Sequence, residues 1–106
     1  MDPVEINAGQ WYLRPLRTDS RIDDRAALAD LGELDPDYVA HSAAQWSADT
    51  SYSWAVCEVA TGELLAEVAL NPLTGEINTR ARAGHTQVAT AAADSVRRFA
   101  AAVRPR

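Results

Sequence analysis

Two segments of alternating polarity, separated by a short turn, constrain the fold of this chain more than any other feature. In residues 52–59 the side chains of Trp54 and Val56 share one side, and small apolar residues share the other. Leu64–Leu70 alternates in the same way after a polar turn at residues 60–63. A period of two is typical of strands, and a short turn between two such runs is typical of a hairpin. The sequence therefore predicts an antiparallel β-hairpin at the centre of the domain.

Two helices are predicted before this hairpin. Residues 25–31 form the first, and Gly32 provides a natural stop after it. The second begins with Asp35 as the N-cap and Pro36 at the first helical position, where no backbone donor is required. Apolar residues at helical spacing then continue to about residue 49, so one face of this helix is expected to pack on a sheet.

The remaining elements complete an α+β order. Residues 1–9 are predicted to be a flexible lead, and residues 10–106 a single domain. A short aromatic strand covers residues 11–14, and a weaker third hairpin strand runs from Glu76 to Arg80. The last helix starts at Val88. The predicted order is β-α-α-β-β-β-α, with a three- to four-stranded antiparallel sheet packed by three helices.

Composition excludes several classes of function. The 106 residues carry a net charge of −5, with a pI near 4.8, and an acidic surface repels nucleic-acid phosphates and anionic lipid. No stretch approaches the roughly 20 apolar residues that a membrane span requires, and the first ten residues do not resemble a signal peptide. We therefore expect a cytoplasmic protein with neither a nucleic-acid nor a membrane partner.

Three stretches of the chain resemble a known family. Residues 11–16 read WYLRPL, residues 61–68 read TGELLAEV after the strand at 54–57, and residues 88–92 read VATAA before VRRFA at 96–100. In this order they resemble the GNAT superfamily of N-acetyltransferases, and in particular the branch of the ribosomal-protein alanine N-acetyltransferases. The resemblance implies a GNAT-like N-terminal half-domain, and acetyl-CoA or CoA as the cofactor.

The same resemblance implies a function for the loop before the last helix. In the family this loop binds the pyrophosphate of acetyl-CoA through backbone amides at a helix N-terminus. Of the three family motif positions, which fall on Gly84, Gln87 and Ala89, only Ala89 matches the pattern. The expected cofactor-binding residues are Gly84, His85, Thr86, Gln87, Val88 and Ala89. Thr86 as a helix N-cap explains the loop equally well without any ligand.

Candidates for catalytic chemistry are few. Glu58 and Glu67 fall on adjacent predicted strands, where paired carboxylates would support acid–base work; solvated outward faces are the alternative. Cys57 reads as a small core residue with no activating base beside it. His41, His85 and one cysteine do not provide the ligands of a metal site, so no metal is expected.

Two functions of different class follow from these observations. The family's later strand and its general-acid tyrosine have no counterpart in this sequence, so the first hypothesis is a truncated, non-catalytic or partner-dependent GNAT-like domain. A homodimer or a separate protein would then complete the sheet along the edge strand from Glu76 to Arg80. The alternative is an active minimal acetyl-CoA-dependent N-acetyltransferase. It would use direct transfer to an amine, with the amides of Val88 and Ala89 at the phosphates and Glu58 or Glu67 near the amine.

Overall fold

A computed structural model describes residues 1–103 of the chain, so residues 104–106 of the predicted domain lie outside the described part. Five strands form one sheet in the order β1-β2-β3-β4-β5, with every neighbouring pair antiparallel. The elements are β1 (Ile6–Ala8), β2 (Trp11–Arg14), α1 (Arg25–Asp30), α2 (Tyr38–Ala48), β3 (Tyr52–Glu58), β4 (Leu64–Leu70), β5 (Ile77–Ala81) and α3 (Thr86–Val103). The α+β class, the antiparallel sheet and its three helices are confirmed.

The first strand corrects the sequence prediction. Ile6–Ala8 pairs with β2 through the tight turn at Gly9, whose φ of 70° suits glycine. The preceding segment is held as well, because the Trp54 indole N–H donates to the Val4 carbonyl at 2.8 Å. Residues 1–9 therefore include a paired strand, and the sheet has five strands instead of three or four. A strand of three residues is too short to show a readable alternation.

The central hairpin separates two hydrophobic clusters, as its alternation predicts. The odd and even positions of β3 face opposite sides of the sheet, with α3 on one side and α1 with the start of α2 on the other. Buried members of the cluster beneath α3 include Trp54, Val56, Val68, Ala92 and Val96. The other cluster comprises Leu16, Leu28, Val39, Ala55, Cys57 and Leu64. Helices cover both faces, so functional groups must lie at the edges or in the loops.

The starts of α2 and α3 each lie two residues from the sequence prediction, whereas α1 begins at Arg25 as predicted. Helix α2 begins at Tyr38 with Asp37 at the N-cap position, and not at Asp35. Asp35 instead closes the turn before the helix, because its carboxylate accepts the Asp37 N–H at 2.9 Å. Its carbonyl accepts the Tyr38 N–H at 3.2 Å. Aspartate side chains form such local turns readily, and this competes with the capping position.

Candidate functional site

The predicted phosphate loop joins β5 to α3 at one end of the sheet. It turns tightly, with the His85 N–H donating to the Arg82 carbonyl at 2.9 Å. Gly84 has a φ of 85°, in the left-handed region that side chains with a Cβ rarely adopt. A Cβ built on Gly84 would meet nothing within 4 Å. The glycine is therefore required by the backbone conformation of the turn and not by a close approach of other atoms.

The start of α3 uses two of the amides expected to bind phosphate. The His85 carbonyl accepts the N–H groups of Val88, at 3.1 Å, and Ala89, at 3.3 Å. Thr86 is the first helical residue, so the prediction that it is the N-cap is wrong; its carbonyl accepts the Thr90 hydroxyl at 3.2 Å. The amides of Val88 and Ala89, predicted to bind phosphate, thus both have an acceptor within the chain.

Carboxylates neutralise the cation beside this loop. The Arg82 guanidinium donates to Asp30 at 2.7 Å and to Glu63 at 2.8 Å. These three side chains line an open depression together with Ala83 and His85. With a neutral histidine, the lining has two negative charges and one positive charge. A polyphosphate placed here would face both carboxylates across a guanidinium that is already paired, which opposes binding of an anion.

Glu67 lies at the centre of a buried polar network. It is 4% exposed, and its carboxylate accepts two bonds from Arg80, at 2.7 and 2.9 Å, and one from the Tyr38 hydroxyl at 2.6 Å. Burial, together with this bond to Glu67, raises the pKa of the Tyr38 hydroxyl far above its usual value. Arg80 also bonds to Glu33 at 3.2 Å, and its guanidinium lies 5.3 Å from the centre of the Tyr38 ring.

This network joins β4, β5, the start of α2 and the α1–α2 connection. Each carboxylate oxygen of Glu67 already accepts a strong, charge-assisted or phenolic hydrogen bond. A general base must reach the proton that it removes, and this carboxylate is 4% exposed with both of its oxygens already bonded. Glu67 is therefore a structural group, and the alternative expectation that it is solvated is also wrong.

Glu58 does not meet Glu67. Glu67 stands opposite Ala55 in the register of β3 and β4, whereas Glu58 stands at the end of β3 opposite Trp11. Ala55 and Glu58 are an odd number of residues apart on one strand, so the two carboxylates face opposite sides of the sheet. The prediction of a paired acid–base site is wrong, because adjacency of strands does not determine which faces their residues share.

A second buried ion pair was not predicted from the sequence. Arg14 on β2 and Asp24, the residue before α1, are 5% and 3% exposed and form two hydrogen bonds of 2.8 Å. Cys57 lies on the adjacent strand, and burial raises the pKa of its thiol, which disfavours a nucleophilic role. The available signal was an arginine at the end of the apolar strand β2, but a sequence alone does not identify its partner.

The two histidines lie on separate elements. His41 is on α2, 3.5 Å from the Asp35 carboxylate, and His85 is in the loop before α3. In the part of the chain from residue 1 to residue 103, no three His, Cys, Asp or Glu side chains converge on a point where a metal would bind.

No protein-family model, curated protein or solved structure matches this chain significantly. None of the helices within residues 1–103 has both the length and the apolar character needed to cross a lipid bilayer.

Proposed function

We propose that this chain is a GNAT-like half-domain that works as a protein-assembly unit. A strand from another polypeptide extends its sheet at β5, and the chain alone does not transfer acetyl groups. The observation that carries this proposal is the unpaired edge of β5, which lies beside the loop whose only lining arginine is already neutralised.

The hydrogen bonds at the two ends of β5 establish which backbone groups face the open side. The Asn71 N–H donates to the Glu76 carbonyl at 2.8 Å, and the Arg82 N–H donates to the Leu65 carbonyl at 2.9 Å. In an antiparallel ladder, hydrogen-bonded and non-hydrogen-bonded pairs alternate. The hydrogen-bonded residues at the two ends, Glu76 and Arg82, are both even-numbered. The even-numbered residues of β5 between them therefore also hydrogen-bond to β4.

The odd-numbered residues Ile77, Thr79 and Ala81 consequently direct their N–H and C=O groups away from the sheet. Within residues 1–103 no other segment pairs with this side of β5. The edge also lacks the usual protection against pairing: it contains no proline, and its single charged side chain, Arg80, is turned to Glu67. Such an edge is a template for an added strand.

The resemblance supports the same location. The order from β2 to α3 is the order that the resemblance implies, with the two short helices before the hairpin and the long helix after β5. In the GNAT family a further strand lies beside the strand that corresponds to β5. A strand added at this edge would therefore occupy the family's own position for it.

One observation favours the alternative, an active acetyl-CoA-dependent enzyme. The N–H groups of Thr86 and Gln87 have no acceptor among the described residues, and they point out of the N-terminus of α3. The carboxylates on Arg82 oppose this function, and both oxygens of Glu67 already accept hydrogen bonds from Tyr38 and Arg80. A thermal-shift titration with CoA separates the two functions, since a ligand bound only by the native state raises the melting temperature. We expect no shift at millimolar CoA.

Photo-crosslinking in the source cells tests the assembly function directly. A photoreactive residue at the exposed edge position Asn78 is expected to give one covalent adduct, and mass spectrometry of the adduct identifies the added strand. The matched variant also carries Thr79→Pro, which removes an outward N–H but no bond to β4, and is expected to lose the adduct. A photoreactive residue at Thr90, exposed on α3, is the positional control. Absence of any adduct at Asn78 would refute the proposed function.

A further inference from the structure

A buried cysteine lies beside two polar side chains on the neighbouring strand. Cys57 is fully buried on β3, directly opposite Tyr12 on β2, and Arg14 stands diagonally across from it on the same face of the sheet. We propose that Cys57 is a site of oxidation by peroxides, covered by α1 in the native state and oxidised to a sulfenic acid when α1 opens. This site lies away from the β5 edge and is independent of the proposed function.

The Arg14 guanidinium has one N–H group without an acceptor. Its two terminal nitrogens donate to Asp24, and its side chain is 6% exposed. Among residues 1–103 no acceptor reaches the buried Nε of Arg14. A buried donor left in this way is costly, and a neutral thiol is only a weak acceptor. The oxygen of a sulfenic acid at Cys57 would be a stronger acceptor for this N–H.

The native state protects the thiol in two ways. Burial raises the pKa of Cys57 against the opposing effects of Arg14 and Tyr12, so little thiolate forms. Leu28 of α1 packs in the same hydrophobic cluster and covers this face of the sheet. When α1 opens, the effect of burial is removed, but Arg14 remains beside the thiol because both residues lie on the sheet. Opening therefore converts a protected thiol into a reactive one.

Helix α1 is suited to open without unfolding of the sheet. It has six residues, below the roughly 12 to 15 that an isolated helix needs, and its buried side chain is Leu28. Its last residue, Asp30, is exposed and bonds to Arg82 at 2.7 Å. By contrast, α3 has 18 residues, of which six are buried. Elements with few buried contacts open at a lower free energy than the core.

The oxidation balances with a peroxide as the oxidant. The thiolate sulfur attacks one peroxide oxygen, an S–O bond forms as the O–O bond breaks, and the sulfur is oxidised by two electrons. The second oxygen leaves as hydroxide or alkoxide and takes up the proton that the thiol released, which gives water or an alcohol. The sequence contains no second cysteine that could convert the sulfenic acid into an intramolecular disulfide.

Two glycine substitutions test access through α1. Ala26→Gly and Ala91→Gly each replace an exposed helical alanine, the first in α1 and the second in α3. The rate of sulfenic acid formation at Cys57 is measured with hydrogen peroxide, a dimedone probe and mass spectrometry. We expect Ala26→Gly to raise this rate about fivefold, because glycine destabilises the helix, and Ala91→Gly to leave it unchanged. Equal rates in the two variants would overturn the inference, because access would then not depend on α1.

A ratio of two rate constants tests the role of Arg14. Hydrogen peroxide and iodoacetamide both react with the Cys57 thiolate, so the ratio of their rate constants cancels the opening of α1 and the pKa of the thiol. Only the peroxide product carries an oxygen that can accept the Nε–H. We expect the ratio to fall about tenfold in Arg14→Lys, which lacks this donor. If that variant does not fold, Tyr12→Phe provides the test, since it removes the hydroxyl beside the thiol and should lower the ratio too. An unchanged ratio in the variant measured overturns the inference.

Discussion

Arg14 and Asp24 form a bidentate ion pair in the interior, with Nη1 to Oδ2 and Nη2 to Oδ1 both at 2.8 Å. Burial alone would lower the pKa of Arg14, but the hydrogen bonds to Asp24, its charge, and the neighbouring Cys57 and Tyr12 side chains together outweigh burial and raise the pKa above its usual value. The same carboxylate accepts the Arg17 N–H at 2.7 Å. Asp24 thus holds β2, the connection after it and the start of α1 in one arrangement.

We predict that Asp24→Asn lowers the free energy of unfolding by about 3 kcal/mol, because it leaves the charge of Arg14 buried without a counter-ion. Urea unfolding measured by tryptophan fluorescence provides the value. The matched control is Asp23→Asn, which removes an exposed pair with Arg25 and should leave stability nearly unchanged. An equal decrease in the free energy of unfolding in the two variants would show that the buried pair stabilises the fold no more than the exposed pair.

The elements that the sequence predicted best are those in which local pattern and tertiary packing agree. The hairpin of β3 and β4 alternates, apart from a register shift between Val56 and Cys57, because its two faces meet two separate hydrophobic clusters. Its bounds differ from the prediction only at Val59. Gly32 ends α1 in the left-handed conformation, as predicted. The sequence did not predict strand β1, because its three residues form a strand through their pairing with β2 and show no local pattern.

The candidate site was predicted less well, because its chemistry depends on partners far apart in sequence. The sequence alone favours a surface position for the Glu67 carboxylate. In the structure it is bonded by Arg80 from β5 and Tyr38 from α2. The partners of Arg82, Asp30 and Glu63, lie 52 and 19 residues away from it in the sequence. Ion pairs of this kind leave no periodic signal in the sequence.

Two valines on α3 test whether the core under this helix supports the fold as described. Val96 is fully buried and Val103 is 45% exposed. We predict that Val96→Ala lowers the free energy of unfolding by about 2 kcal/mol through lost burial and a residual cavity. Val103→Ala should be neutral or slightly stabilising, because alanine is the better helix former. Urea unfolding distinguishes them, and similar effects at both positions would contradict this packing.

Stability at alkaline pH should depend on Tyr52. Its hydroxyl donates to Asp49 at 2.6 Å, and this bond together with burial raises its pKa from 10 to about 12. The unfolded chain therefore loses this proton first, and the stabilisation that is complete below pH 10 disappears as the pH rises to 12. In Tyr52→Phe the decline between these values should be shallower, although Tyr38 retains part of it. Urea midpoints measured from pH 8 to pH 12 provide the comparison, and parallel curves would refute the assignment.

Neutralising the two carboxylates on Arg82 should convert the loop before α3 into an anion site. In the double variant Asp30→Asn with Glu63→Gln, the Arg82 guanidinium has lost both carboxylate partners in the depression that it lines with Ala83 and His85. We predict that inorganic pyrophosphate then binds about tenfold more tightly at low salt than to the wild-type chain, because two nearby negative charges are removed. Calorimetric titration measures the change, and adding Arg82→Gln to the double variant should abolish the gain. Equal affinities in the wild type and the double variant would show that these carboxylates do not control anion binding.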